Sequence, residues 1–200
     1  MLSGETKAWE TLSSLEALEV CKRTGALFDV QSGAYTLVSL GCQFRVDTAT
    51  RTITGISPGS QRLLSGLGDF FRLSALWYLS ALKDISITGE WISPENMREG
   101  QIFFKGSHVL PLNKLATGYG NDRDGFLKKG LNLGGRQVFY GDAAVELLPF
   151  PKLSVMIILW LADDEFPPRA TLLFDSSSEF RLPVDILWYV AMISVLMMTF

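Results

Sequence analysis

Acidic side chains are the groups in this sequence best suited to chemistry. Asp163, Asp164 and Glu165 follow an apolar segment that is typical of a buried strand, and Asp175 ends the next predicted strand. Carboxylate oxygens are the ligands that hard cations prefer, so one interpretation is a metal site. The alternative is a turn in which one acid caps the backbone, another meets Arg169 and the third is solvated. The alternative is favoured, because no histidine lies nearby and antiparallel pairing would place Asp175 at the opposite edge.

A glycine-rich segment is the second candidate site. Gly134, Gly135 and Arg136 precede Asp142 by a few residues. Adjacent glycine N–H groups can bind an anion, and an arginine can add a two-point contact, so these four residues are a candidate anion or ligand site. The favoured alternative is a two-residue hairpin turn in which the glycines supply positive φ. The sequence contains neither GxGxxG nor GxxxxGK[ST], so it carries no nucleotide-binding fingerprint.

Nucleophilic and thiolate chemistry finds little support. His108 is the only histidine, and its place shortly before Pro111 is typical of a cap or a half-exposed residue. Cys21 and Cys42 stand apart, without a Cys-x-x-Cys spacing. Two separated cysteines cannot supply four cluster ligands, so we predict that this chain alone holds no iron–sulfur cluster. Reduced, buried thiols are the expectation, and any other cofactor stays unknown.

Composition indicates an ordinary globular chain. Of 200 residues, 48% are apolar and 20% are charged, which suits one large domain spanning residues 1–200. The net charge is −3 and no basic stripe occurs, so nucleic-acid binding is not expected. The first five residues have neither a basic nor an apolar signal region, so a cytoplasmic location is expected.

Helical and strand patterns alternate in the first part of the chain. Apolar residues at spacings of three, from Trp9 to Leu18, predict an N-terminal helix, and a second helix should end at Gly25. Two strands over residues 35–40 and 42–46 should follow, joined at a tight turn. Asp69 is then expected to cap an apolar central helix.

The second part predicts one more helix and several strands. Asn121 is expected to cap a helix that Gly130 stops. Strands are predicted over residues 143–148, 153–161 and 171–174. Because strands arrive in adjacent runs, the sequence favours an α+β fold, with a largely antiparallel sheet packed against N-terminal, central and C-terminal helices.

The final fifteen residues, which begin at Ile186 and end at Phe200, carry no charge. Pro183 and Asp185 suit the first turn of a helix there. Such a helix is shorter than the roughly 20 residues that a membrane span needs. The favoured interpretation is a helix buried in the core or docked on a partner or a second copy of the chain, and a tail anchor is the lesser alternative.

The last third of the chain resembles the family known as domain of unknown function 3786. The resemblance rests on motifs in this order: Leu133 to Arg136, Gly141-Asp142, Trp160 to Pro167, Leu173 to Asp175 and Leu182-Pro183. Weaker matches at Trp9-Glu10, Leu79 and Gly89 to Trp91 extend it over nearly the whole sequence. The resemblance implies members in anaerobic bacteria and archaea, some joined to iron–sulfur domains of the kind seen in corrinoid proteins. Many members have a histidine where this chain has Trp77, which puts a haem or metal role there in doubt.

These observations favour a non-catalytic ligand-binding or accessory protein associated with anaerobic redox or corrinoid metabolism. One alternative is a metal-assisted hydrolase that uses the cluster from Asp163 to Glu165. Another is a structural subunit that docks through its C-terminal helix.

Overall fold

The computed structural model describes residues 3–105 and 108–199. Its helices alternate with runs of strands. The α-helices are α1 (Ser3–Ser14), α2 (Ala17–Thr24), α3 (Gly68–Ala81), α4 (Gly100–Phe103), α5 (Leu112–Tyr119), α6 (Arg123–Asn132), α7 (Ser178–Arg181) and α8 (Val184–Thr199). A π-helical turn covers Arg62–Gly66 and a 3₁₀ turn covers Pro94–Asn96. The strands are β1 (Leu27–Asp29), β2 (Ala34–Ser39), β3 (Cys42–Asp47), β4 (Thr52–Gly55), β5 (Trp91–Ile92), β6 (Arg136–Val138), β7 (Ala143–Phe150), β8 (Leu153–Trp160) and β9 (Arg169–Asp175).

The strands form two antiparallel sheets. The smaller has the order β1-β2-β3-β4, and the larger has the order β5-β9-β8-β7-β6. The prediction of an α+β fold with antiparallel strands is therefore confirmed. The sequence analysis expected one sheet, whereas the strands before and after α3 pair only within their own group.

The tight turn between β2 and β3 joins the smaller sheet to the larger one. Leu40 and Gly41 both have positive φ, at 46° and 75°, as a two-residue type I′ hairpin requires. The backbone N–H of Leu40 donates to the carbonyl of Leu148 on β7 at 3.1 Å. A Cβ on Gly41 would lie 3.2 Å from the backbone of Leu133, so the glycine also allows this close approach.

The main core is formed by side chains of both sheets and of helices α1, α3 and α8. Trp9 and Leu12 on α1 are fully buried, as the spacing of apolar residues predicts. Leu18 is 74% exposed, because α1 ends at Ser14 and Leu18 belongs to a different helix. On β8 both faces are covered: Val155 and Ile157 face the main core, while Met156 and Ile158 join a smaller cluster on the opposite face.

Two helix boundaries differ from the predictions. Asp122, not Asn121, caps α6, and its side chain accepts a hydrogen bond from the N–H of Gly125 at 2.8 Å. Gly130 lies inside α6 and does not stop it. Helix α3 begins at Gly68, so Asp69 lies in its first turn, where its charge still favours the helix dipole.

Helix α8 is apolar on all sides and packs mainly against α3 and α5. Nine of its residues are buried by the chain itself: Ile186, Leu187, Val190, Ala191, Ile193, Ser194, Val195, Met197 and Met198. Docking of a partner through this helix stays a prediction. The predicted helical segment ends at Phe200, which lies outside the described residues. No helix in residues 3–105 and 108–199 combines the length and hydropathy needed to cross a membrane.

Gly130 provides a test of how tightly α6 packs on the larger sheet. A Cβ at this position would lie 2.6 Å from Cγ1 and 2.9 Å from Cβ of Val145 on β7. We expect Gly130→Ala to lower the free energy of unfolding by about 1–3 kcal/mol, because overpacking outweighs the gain in helix propensity.

Gly118 in α5 is the matched control, because a Cβ there would meet nothing within 4 Å. We expect Gly118→Ala to raise the free energy of unfolding, by at most about 1 kcal/mol. Urea denaturation measures both variants. Equal stabilisation by the two substitutions would contradict the close contact between α6 and β7.

Candidate functional site

The acidic residues Asp163, Asp164 and Glu165 lie in the exposed loop between β8 and β9. Asp163 Oδ1 accepts hydrogen bonds from the N–H groups of Glu165 at 2.9 Å and Phe166 at 2.7 Å. Asp163 therefore caps the turn. Arg169 stacks over the ring of Trp160, with its guanidinium carbon 4.2 Å from the ring centroid.

Asp175 lies at the other end of β9 and is only 1% exposed. It accepts backbone hydrogen bonds from Thr88 at 3.2 Å, Gly89 at 2.7 Å and Ser177 at 3.0 Å, and further bonds from the hydroxyls of Thr88 and Ser177. Burial by itself raises the pKa of this carboxyl. The hydrogen bonds from Ser177, Thr88 and Gly89 together outweigh burial, so the pKa lies below its ordinary value.

The structure does not bring Asp175 together with the acidic loop. Strand β9 separates them by about 20 Å at 3.3 Å per residue. In the described part of the chain, no group of three or more His, Cys, Asp or Glu side chains could hold a metal ion. The acidic loop therefore contains one turn cap, Asp163, and two exposed carboxylates, whereas Asp175 is a buried hydrogen-bond acceptor elsewhere.

Gly134 and Gly135 do not form the predicted hairpin. They follow the end of α6, where the N–H of Gly134 donates to the carbonyl of Leu131 and that of Gly135 to the carbonyl of Gly130, both at 3.0 Å. Gly134 has φ of 75°, which ends the helix as a left-handed residue does. The hairpin prediction was wrong because these glycines join a helix to a strand, and their N–H groups already have partners.

Arg136 and Asp142 are also occupied within the chain. Arg136 faces Glu146 across the β6–β7 pair, and their Nη2 and Oε2 atoms are 2.6 Å apart. Asp142 Oδ2 accepts from the N–H of Leu161 at 2.8 Å, and its carbonyl accepts from Arg123 Nε at 3.0 Å. Asp142 precedes Glu146 by four residues, so it lies about 13 Å along the strand from the Arg136 pair.

The histidine and the cysteines lie in separate structural settings. The ring of His108 stacks on Phe103 with centroids 4.3 Å apart and meets Trp188 edge-on at 5.0 Å. Cys21 and Cys42 are free thiols. Burial raises the pKa of the Cys21 thiol, which leaves less of the nucleophilic thiolate at neutral pH.

A cleft of about 650 Å³ lies where the end of α3, residues 97–99 and the α7–α8 connection meet. Its apolar wall includes Ala81, Met97, Phe180, Leu182, Val184 and Leu187. Its charged residues are Lys83, Arg98, Glu99, Glu179 and Arg181. None of these residues was a predicted site residue, and the cleft joins segments far apart in the sequence, so the sequence analysis missed it.

Hydrogen bonds between distant segments hold the cleft walls together. The N–H of Lys83 donates to the carbonyl of Arg181 at 3.1 Å, which joins the end of α3 to α7. Glu179 accepts the N–H of Arg98 at 2.7 Å, which fixes the 97–99 segment. Pro183 immediately precedes α8, as its fixed φ favours. Three segments far apart in the sequence therefore make one wall.

Arg181 is the least expected residue of the cleft, because it is only 2% exposed. Its Nη1 donates to the carbonyl of Lys152, and its Nε has no hydrogen-bond partner among residues 3–105 and 108–199. Burial lowers the pKa of this guanidinium, and the negative charges of Asp175 and Asp84 act against that. In the sequence, Arg181 is a single charged residue shortly before the apolar C-terminal segment. Nothing in the sequence distinguishes it from a surface arginine.

The fold and the cleft define a class of protein: two antiparallel sheets and a buried C-terminal helix, with a small-molecule-sized cleft beside that helix. The chain belongs to the family described as Domain of unknown function (DUF3786), which matches residues 16–197. The match confirms the resemblance found in the motifs. No curated protein and no solved structure matches the chain.

Proposed function

We propose that this chain is a non-catalytic binding protein whose ligand occupies the cleft beside α7 and α8. The combination of a volume of about 650 Å³ with the buried and incompletely hydrogen-bonded Arg181 carries the proposal. Small-molecule sites have volumes of roughly 300–1,000 Å³ and combine an apolar lining with a few polar groups. Leu187 and Val184 supply apolar surface, and Lys83 and Arg98 supply charge.

The residues of the cleft favour binding over catalysis. Within the described part of the chain, its lining contains no Ser, Thr, Cys, His or Tyr. A nucleophile with an adjacent base is the usual requirement for covalent catalysis. His108 contributes its ring to an aromatic group with Phe103 and Trp188 instead. No group of three or more His, Cys, Asp or Glu side chains in the described residues could hold a metal ion, so a binding role fits better than the metal-assisted hydrolase.

The proposal also concerns the metabolism in which the protein acts. The resemblance implies family members in anaerobes, some of them joined to iron–sulfur domains. These domain fusions support an accessory role beside redox or corrinoid enzymes in the cytoplasm. Absorption spectra and metal analysis of protein purified without oxygen test this part. Stoichiometric iron and sulfide, carried by the chain alone, would contradict the prediction that its two separated cysteines hold no iron–sulfur cluster.

Filling the cleft should abolish ligand binding. Ala81 is partly exposed at the end of α3 and lines the cleft, so Ala81→Phe should occupy its volume. We expect native mass spectrometry to detect a small molecule bound to the wild type and not to this variant.

Ala17→Phe is the matched control, because Ala17 is also partly exposed on a helix but is not part of the cleft. This variant should keep the ligand. A ligand held equally by Ala81→Phe, or a wild-type protein that binds nothing from a metabolite library, would contradict the proposed function.

A further inference from the structure

We propose that the cleft recognises an organic monocarboxylate, and that Arg181 binds the carboxylate group. This inference rests on the proposed function and deepens it. The evidence is a buried arginine without an ion-pair partner in the wall of a cleft that is otherwise largely apolar. Nothing in the sequence marks this residue for such a role.

The guanidinium of Arg181 is only partly hydrogen-bonded in the described part of the chain. Nη1 donates to the carbonyl of Lys152, whereas Nε is buried without a partner in the described part of the chain. In a guanidinium, Nε and Nη2 form a common edge that can donate two parallel hydrogen bonds to a carboxylate. A buried N–H without an acceptor is costly, so an acceptor is expected at this edge.

The nearby acids are already engaged, and one of them, Asp84, lies 4.0 Å from Nζ of Lys152. Among the described residues, Arg181 takes part in none of the ion pairs. The carboxylate of Asp175 accepts hydrogen bonds from Thr88, Gly89 and Ser177, and Glu179 accepts the N–H of Arg98. A buried charge needs a counter-charge or a full set of hydrogen bonds. An anion from outside the chain would supply what the internal acids do not.

Charge and lining indicate which anion fits. Lys83, Arg98 and Arg181 outnumber Glu99 and Glu179 by one, so a single negative charge balances the cleft. A phosphate monoester, with close to two charges at neutral pH, would leave it negative. The apolar wall favours a hydrocarbon body behind the charged group. A monocarboxylate with an apolar chain meets both conditions.

Isothermal titration with hexanoate and decanoate tests the inference, and the amides of the same acids serve as uncharged controls. We expect the wild type to bind a carboxylate in preference to its amide. Arg181→Met should weaken carboxylate binding by about tenfold to a hundredfold, because it removes hydrogen bonds to a charged group. Arg181→Lys keeps the charge without the planar edge, so its affinity should lie in between.

Two controls separate recognition from folding. Arg51→Met changes an exposed arginine in the β3–β4 turn and should leave carboxylate binding unchanged. Without ligand, the Arg181→Met variant should unfold at a temperature equal to or above that of the ligand-free wild type. The substitution replaces an unpaired buried charge with an apolar side chain of similar length. If Arg181→Met does not fold, the ratio of acid to amide affinity in the wild type and in Arg181→Lys decides the question.

The outcomes also separate this inference from the proposed function. Equal binding of acid and amide, lost in Ala81→Phe, would overturn carboxylate recognition and leave the binding cleft intact. Binding of inorganic phosphate in preference to the carboxylates would overturn the ligand class. Absence of binding to every probe would overturn the inference, while the metabolite library would still test the cleft.

Discussion

Asp175→Asn is expected to lower the free energy of unfolding by about 3 kcal/mol or more, since several hydrogen bonds to one buried charge are lost or weakened together. The carboxylate accepts hydrogen bonds from two residues of the chain before β5, Thr88 and Gly89, and from Ser177 after β9. An amide has one oxygen, and its NH₂ group would face N–H and O–H donors. Urea denaturation at neutral pH measures the loss.

The same substitution should change how stability depends on pH. The folded pKa of Asp175 lies below its ordinary value of 3.8. Its ionised form therefore stabilises the fold fully above pH 3.8, and this contribution is lost as the pH falls through the folded pKa. We expect the stability difference between wild type and Asp175→Asn to be constant near neutral pH and to shrink in acid below pH 3.8.

Asp164→Asn is the control for Asp175. Asp164 is exposed in the loop after β8, so the same chemical change there should alter the unfolding free energy by no more than about 0.5 kcal/mol. Equal effects of the two substitutions, or a constant difference down to strong acid, would show that Asp175 does not hold the 88–89 segment against α7.

Removal of α8 should destroy the fold. Truncation after Asp185 deletes side chains that fill the space between α3, α5 and the larger sheet. We expect an insoluble chain, or one that keeps far-UV circular dichroism and loses the near-UV signal. A membrane anchor could be removed without this effect. A truncated chain that stays folded, with sharp cooperative unfolding, would contradict the interior role.

A single substitution measures the same packing without truncation. Ile193 is fully buried on α8, and Ile193→Ala should lower the unfolding free energy by about 2–5 kcal/mol. Met192 on the next position is only partly buried, so Met192→Ala should cost clearly less. Thermal or urea unfolding of the two variants gives the comparison. A larger loss for Met192→Ala would indicate that a partner covers that side of the helix.

The sequence by itself determined the classes of the main elements. Apolar spacing in α1 and the all-apolar run in α8 are local properties, and both follow from the environment that each side chain requires. The β7–β8 hairpin could be predicted for the same reason, because its strands are adjacent along the chain and a short turn joins them. Helix ends were predicted less well. Neighbouring residues such as Asn121 and Asp122 are both good caps, and the backbone path decides which one serves.

Tertiary structure alone decided what each polar group contacts. The sequence indicated that antiparallel pairing would separate Asp175 from Asp163, but only the structure shows that Thr88, Gly89 and Ser177 donate to Asp175. Gly134 and Gly135 fit a hairpin by composition, and only the end of α6 shows that their N–H groups bind helix carbonyls. The cleft joins residues near positions 81, 98 and 181. Arg181 is buried there, and its side chain donates to the carbonyl of Lys152 between β7 and β8. Sequence patterns indicate which side chains are buried. The partner of a buried charge depends instead on which distant segments come into contact, and the packing of the whole chain determines that.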